Sequence, residues 1–271
     1  MTEEAKAVGA AGAAGAATEA ATHVWQGAAG SGQGAADRLR TAVLSAAERD
    51  RASLLSPEAA GLYLASHVAT RRILARYLGR EPAELTLGRR PCPQCPDPLH
   101  GAPAVTWPPT ELSFNLTASG GSWLLAVTTG RPLGVDLELA AGAGGERAAP
   151  LALTVGELAR LRALADPRPR RALFLRAWTR KEAVVKAVGV GLAADLRQIE
   201  VAPECPGPVP VRFGVGAGPH DWVVQDLPVG PGRFAALARP APAAGRVRLF
   251  EYSDRTLGDL AVRQELAGAA A

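Results

Sequence analysis

Lysine is almost absent from this chain. Of 30 basic residues only Lys6, Lys181 and Lys186 are lysines; the rest are arginines. Against that background a retained lysine marks a position suited to a compact ammonium rather than a planar guanidinium fork. Cysteine is scarce as well. Three cysteines cannot build a paired disulfide framework, and no charged start leads into an apolar leader, so a reducing, cytoplasmic setting is expected. No concentrated basic stripe is present: a net charge of +4 favours acidic or phosphorylated partners but falls short of a nucleic-acid binder. The uncharged run from Leu112 to Gly130 contains Asn115, several Ser/Thr and two adjacent glycines, which suit two strands and a turn rather than a membrane span. A monomer without nucleic-acid or membrane partners is expected.

What the chain does have is length for one large domain or two small ones: 271 residues, 48% of them apolar. Its most informative stretch is Arg168 to Leu192. Leu173, Phe174, Ala177, Trp178, Val184, Val185 and Val188 recur every three or four residues, with charges between them, which predicts an amphipathic helix ending at Gly189 or Gly191. Trp178, Glu182 and Lys186 stand at i, i+4, i+8 and share one side of it. An ordinary Glu182/Lys186 ion pair, worth about 0.2 to 0.5 kcal/mol, accounts for that spacing equally well.

Residues 1–36 form an Ala/Gly tract with little large apolar material and are expected to be a disordered extension, with Trp25 its one docking residue. A second helix is predicted after Ser56, with Pro57 at its first position and Gly79 past its end; Arg71, Arg72 and Arg76 crowd its last turns, where cations complement the helix dipole. The segment from Gly88 to Pro109 reads as a loop. Its Cys92 and Cys95, with His100 beyond, lack the second ligand pair of a closed zinc site. In LGVDLELA, Val135 and Leu137 point to one face, while Asp136 and Glu138 share the other, about 6.6 Å apart along the strand. Two neighbouring carboxylates both ionise comfortably only beside a cation; a solvated strand face is the alternative. Three or four antiparallel strands are predicted between Ile199 and Leu237, and a peripheral tail, helical at Leu257–Leu266, follows Pro240.

Taken together, GRPLGVDLE at 130–138, FLRAWTRKEAVVKAVGVGL at 174–192 and FNLTASGGSWLLAV before them resemble three motifs of one family. It is the 4'-phosphopantetheinyl transferases of the large, surfactin-synthetase-activating type, and the likeness covers roughly residues 45–240. That resemblance implies an α+β fold of two pseudo-twofold-related subdomains, each an antiparallel sheet packed with a long helix. The expected halves are 37–130 and 131–245, the second holding the metal site, with 246–271 as a tail. It further implies transfer of 4'-phosphopantetheine from coenzyme A to a serine of an acyl or peptidyl carrier protein, with Mg²⁺ on Asp136, Glu138 and Glu182. Glu182 and Lys186 are then the catalytic residues. Lys186, assisted by Lys181, and Thr117, Ser119 and Arg71 are the contacts to the coenzyme.

Three positions depart from the family pattern. Ala118 stands where the turn carries a phosphate-binding histidine, Leu62 where the second helix carries an arginine, and Ala102 where the preceding loop carries a cation. Two readings follow. One is a working transferase whose coenzyme contacts are rearranged, with His67, Arg71, Arg72, Arg89 and Arg90 as available replacements. The other is a repurposed relative that keeps the metal carboxylates but binds another ligand, does different chemistry or serves as a carrier-protein-binding module.

Overall fold

A computed structural model describes residues 21–29, 41–141, 145–243, 245–252 and 262–266. In chain order its elements are β1 (Thr22–Ala28), α1 (Ala46–Ser53), α2 (Pro57–Leu78), β2 (Thr86–Arg89), β3 (Pro103–Trp107), β4 (Leu112–Ser119) and β5 (Ser122–Thr129). There follow β6 (Gly134–Leu139), α3 (Ala149–Ala152), α4 (Val155–Ala163), α5 (Pro167–Val188), β7 (Val209–Arg212), β8 (Asp221–Asp226), β9 (Arg233–Pro240), β10 (Val247–Glu251) and β11 (Val262–Leu266). The fold is α+β. One sheet runs β11-β10-β1-β5-β4, a second β6-β9-β8-β7, and β2 and β3 make a separate hairpin.

The two large sheets lie between the two 22-residue helices in the layer order α2, first sheet, second sheet, α5. Strand alternation explains how. On β5, Leu125 and Val127 join Ile73, Leu74 and Trp25 beneath α2, while Leu124 and Ala126 turn the other way to meet Val135, Leu137 and Leu237 between the sheets. On β9, Ala236 and Ala238 face α5, and Ala235 and Leu237 face the first sheet. A strand buried on both faces needs an unbroken apolar run. That accounts for the uncharged stretch at Leu112–Gly130, whose turn puts Gly120 and Gly121 at φ 54° and 78°, the left-handed pair of a tight hairpin.

Both long helices begin and end where their sequences dictate. Ser56 accepts from the Ala59 N–H with Pro57 in the first turn, and Gly79 closes α2 at φ 61°. Asp166 caps α5 by accepting from the Arg168 N–H, and Gly189 ends it at φ 84°. Among the described residues no helix is long and apolar enough to cross a membrane.

Four expectations need correction. Residues 22–28 are not part of a disordered extension. They form β1, with Trp25 1% exposed and stacked on Phe250, in the middle of the first sheet. Residues 1–20 and 30–36 lie outside the described residues. The region after residue 246 is likewise not a peripheral helix: β10 pairs in parallel with β1, and 262–266 is strand, the expected helix at 257–261 lying outside the described residues. The first sheet is therefore not wholly antiparallel. Its strands β1 and β10 come from opposite ends of the chain. Finally, the Gly88–Pro109 segment is a loop only in its middle, because Pro103–Trp107 pairs with β2.

Candidate active site

Strands β4 and β6 lie side by side, one from each sheet, and β4 reaches across with three alternate side chains. Asn115 Oδ1 accepts from the Val135 N–H at 3.1 Å, Thr117 Oγ1 donates to Asp136 Oδ1 at 3.2 Å, and Ser119 Oγ donates to Glu138 Oε2 at 3.1 Å. Asn115 is the one of the three that sequence reasoning misses. Its signal is that of a poor strand former in the middle of a strand pattern, a sign that the side chain substitutes for a missing backbone partner.

The face of β6 opposite the inter-sheet core is covered by α5. Gly134 makes this possible: a Cβ there would stand 2.0 Å from the Ala183 carbonyl oxygen and 2.6 Å from the Ala187 nitrogen. Helix and strand thus meet backbone to backbone, which brings Lys186 Nζ to 2.5 Å from Asp136 Oδ1, with Thr117 Oγ1 and the Val135 carbonyl at 3.3 and 3.4 Å. Gly134→Ala is expected to push α5 off β6, costing about 1–3 kcal/mol by overpacking. Denaturant unfolding checks this, and an unchanged midpoint would show that helix and strand separate freely.

Asp136 is 4% exposed and Glu182 7%. Burial raises the Asp136 carboxyl above its ordinary value, Glu138 adding to this while Lys186 and Thr117 oppose it. Burial, with repulsion from Asp136 and Glu138 and partial relief from Lys186, pushes Glu182 up to about 7. Asp136 Oδ2 and Glu182 Oε1 are buried and have no hydrogen-bond partner among the described residues. Buried acceptors left unpaired cost free energy, and a hard divalent cation answers both at once, since carboxylate oxygens are its preferred donors. The residues therefore fit such an ion, although the ligand oxygens of Asp136, Glu138 and Glu182 are not all within 4.8 Å of one another. Lys186 holds one Asp136 oxygen and Ser119 holds one Glu138 oxygen.

Beside these groups opens a cleft of about 830 Å³, walled by α2, the β2–β3 loop, β4 and the end of α5. Its basic side chains are His67, Arg71, Arg89, His100 and Lys186, against one acid, Glu48. His67 stacks on Tyr63 with ring centroids 3.8 Å apart.

Two expected site residues are placed elsewhere in role. Lys181 is not at the site. It is fully buried on another face of α5, bonded to Glu157 at 2.5 Å and to the Ala152 and Leu196 carbonyls at 2.8 and 2.9 Å. Arg71 lines the cleft, but its guanidinium is bound to Glu48 at 2.8 Å and to the Pro82 and Leu85 carbonyls, so it ties α2 to α1 and the following turn. Of the three departures, Leu62 packs on the core beneath α2, Ala118 is exposed, and Ala102 lies against Gly189. Arg90 donates to Ser113 at 3.1 Å, away from the main cleft.

Fold and site define a class first: a two-sheet α+β protein whose buried acids and single ammonium lie where the sheets adjoin, beside a basic cleft. Over residues 132–238 the chain matches the family model of the 4'-phosphopantetheinyl transferase superfamily. It is 34% identical over 165 residues to the 4'-phosphopantetheinyl transferase HetI of Nostoc sp., a match covering 59% of this chain and 65% of that protein, slightly under two thirds of the relative's length.

Proposed function

We propose that this protein transfers 4'-phosphopantetheine from coenzyme A to a serine hydroxyl of an acyl or peptidyl carrier protein, as the large, surfactin-synthetase-activating type does. The observation that carries the reading is the pair of buried, unpartnered carboxylate oxygens, on Asp136 and Glu182, beside Lys186 in the wall of a basic cleft. Asp136, Glu182 and Glu138 would hold Mg²⁺, which when bound withdraws charge from pyrophosphate oxygens and leaves the phosphorus open to attack.

The chain's own residues do the rest. The serine oxygen bonds to the phosphorus bearing pantetheine, the bond to the bridging oxygen breaks, and adenosine 3',5'-bisphosphate departs with that oxygen. Glu182, beside the ion, is the residue placed to take the serine proton, directly or through a water. Lys186 offsets negative charge gathering on the phosphoryl oxygens, and Thr117 and Ser119 hold Asp136 and Glu138 in orientation. Arg89 is the cation on the cleft wall that would stand in for the departed contacts, with the buried His67 ring beside it as a hydrogen-bonding group. A cleft of about 830 Å³ falls within the range of roughly 300–1,000 Å³ that enclosed ligands occupy.

Incubation with apo carrier protein, coenzyme A and Mg²⁺ is expected to add the mass of one phosphopantetheine group to the carrier, measured by intact-protein mass spectrometry. No mass gain over several carriers, together with no coenzyme A binding by calorimetry, would replace this reading with the repurposed relative.

A further inference from the structure

The loop from residue 90 to 102, between β2 and β3, folds back on itself more tightly than its length requires. The Arg90 N–H donates to the Ala102 carbonyl at 2.8 Å, and Arg89 Nη1 to that of Gly101 at 2.7 Å. Gly101, at φ 108°, passes so near that a Cβ would lie 1.9 Å from the Arg90 oxygen. This closure lays His100 over the start of the loop. The ligand atoms of Cys92, Cys95 and His100 all come within 4.8 Å of one another, with Cys95 Sγ and His100 Nδ1 3.1 Å apart.

We propose that Cys92, Cys95 and His100 form a site for a thiophilic divalent cation, zinc by preference, which fastens this loop to the C-terminal half and fixes one wall of the cleft. Tetrahedral zinc takes sulfur at about 2.3 Å and imidazole nitrogen at about 2.0–2.1 Å, which sets donors roughly 3.5 Å apart, within the spread seen here. Sulfur and imidazole select against Mg²⁺, so this centre and the carboxylate site would hold different ions. The Gln94 N–H donates to Cys92 Sγ at 3.4 Å, placing a positive dipole on a sulfur that metal binding would leave anionic. Three protein ligands leave a fourth position for water or an added thiol.

The placement gives the site a purpose. Cys92 is buried in the core beneath α5, and Cys95 packs against it, so a loop of the N-terminal half is seated in the C-terminal half. His100 faces the cleft together with Pro98, Leu99 and Gly101, beside Gly191. The tip of the loop stands open to solvent, with Leu99 80% exposed. The proposal is independent of the transferase reading and stands or falls without any activity measurement.

The test is a Co²⁺ titration of the reduced full chain in excess Mg²⁺. One equivalent should bind with a thiolate-to-cobalt charge-transfer band and tetrahedral d–d bands, displaced by Zn²⁺. Cys95→Ser and His100→Ala, both half-buried and so tolerant of change, should lose or alter these bands, while Cys205→Ser and Glu182→Gln retain them. Zinc should also slow proteolysis within 90–102 in the unaltered chain but not in Cys95→Ser. Absence of a charge-transfer band in the reduced protein, or its persistence with unaltered intensity and affinity in Cys95→Ser, overturns the proposal. So does a chain that is recovered with a Cys92–Cys95 disulfide and, once reduced, still takes no cobalt.

Discussion

Glu182→Gln is expected to abolish phosphopantetheine transfer and at the same time to make the protein more stable above neutral pH. The two effects share one cause. Burial and the neighbouring acids raise the Glu182 carboxyl from its ordinary 4.5 to about 7. Between those values the folded chain holds a proton that the unfolded chain has lost, so stability falls as pH rises through this window and is level beyond it. A shift of this size corresponds to about 3 kcal/mol, an order-of-magnitude figure for the penalty at pH 8. Glutamine keeps the shape without the charge and escapes it. Denaturant unfolding in chelator should find the two proteins alike near pH 4.5 and the variant more stable at pH 8. Adding Mg²⁺ should then stabilise the unaltered protein and leave the variant where it was, because an ion bound only by the folded state adds stability in proportion to its affinity. If Glu182 takes the serine proton and helps hold the ion as proposed, its loss should slow transfer by roughly 10²–10⁴-fold or more. A variant that transfers normally, or whose stability tracks the parent across this pH range, would remove Glu182 from the site.

How much of this is legible in the sequence depends on where each signal resides. The helix 167–188 and the strand at 134–139 are written locally, in period and punctuation, and the alternation of Asp136 and Glu138 against Val135 and Leu137 separates the two faces of that strand without saying that the helix covers the acidic one. Strand β1 is not written locally. THVWQGA sits in an alanine and glycine background, and its partners are Val247 to Glu251 and Ser122 to Val127, far along the chain in both cases. Only a tertiary pairing makes it a strand, and the same holds for β10. In the cysteine loop, sequence shows only how few ligand residues there are, whereas what gathers them is backbone closure at Gly101, which spacing does not reveal.

The two lysines of α5 show a different kind of miss. Scarcity of lysine argues that both positions want an ammonium, and both do, but for different partners: Lys186 bonds Asp136 where the sheets adjoin, and Lys181 bonds Glu157 on α4. Five residues at about 100° each put their side chains some 140° apart around the helix, so both could not share one site. Helix geometry applied to the spacing alone is enough to separate them.

That separation yields the second large effect. Lys181→Met is expected to destabilise the protein by roughly 3–5 kcal/mol, because it leaves Glu157 charged and fully buried with its strongest partner gone. A domain whose total stability is about 5–15 kcal/mol feels that as a loss of about a fifth or more. Glu157 also accepts from the Thr154 N–H at 3.0 Å, capping α4, and from the Val201 N–H at 3.0 Å, so the pair links α4, α5 and the segment after α5. The two N–H groups bond different oxygens of Glu157, so glutamine there keeps only one of these bonds but removes the buried charge, and the double variant Lys181→Met with Glu157→Gln should regain part of the loss, a coupling that a double-mutant cycle measures directly. Folded Lys181→Met, assayed in the cold and corrected for the fraction folded, should transfer phosphopantetheine at close to the parental rate, whereas Lys186→Met should remain folded and inactive. If instead Lys181→Met is as stable as the parent and loses activity, Lys181 belongs with the coenzyme contacts, and the buried pair on α4 is incidental.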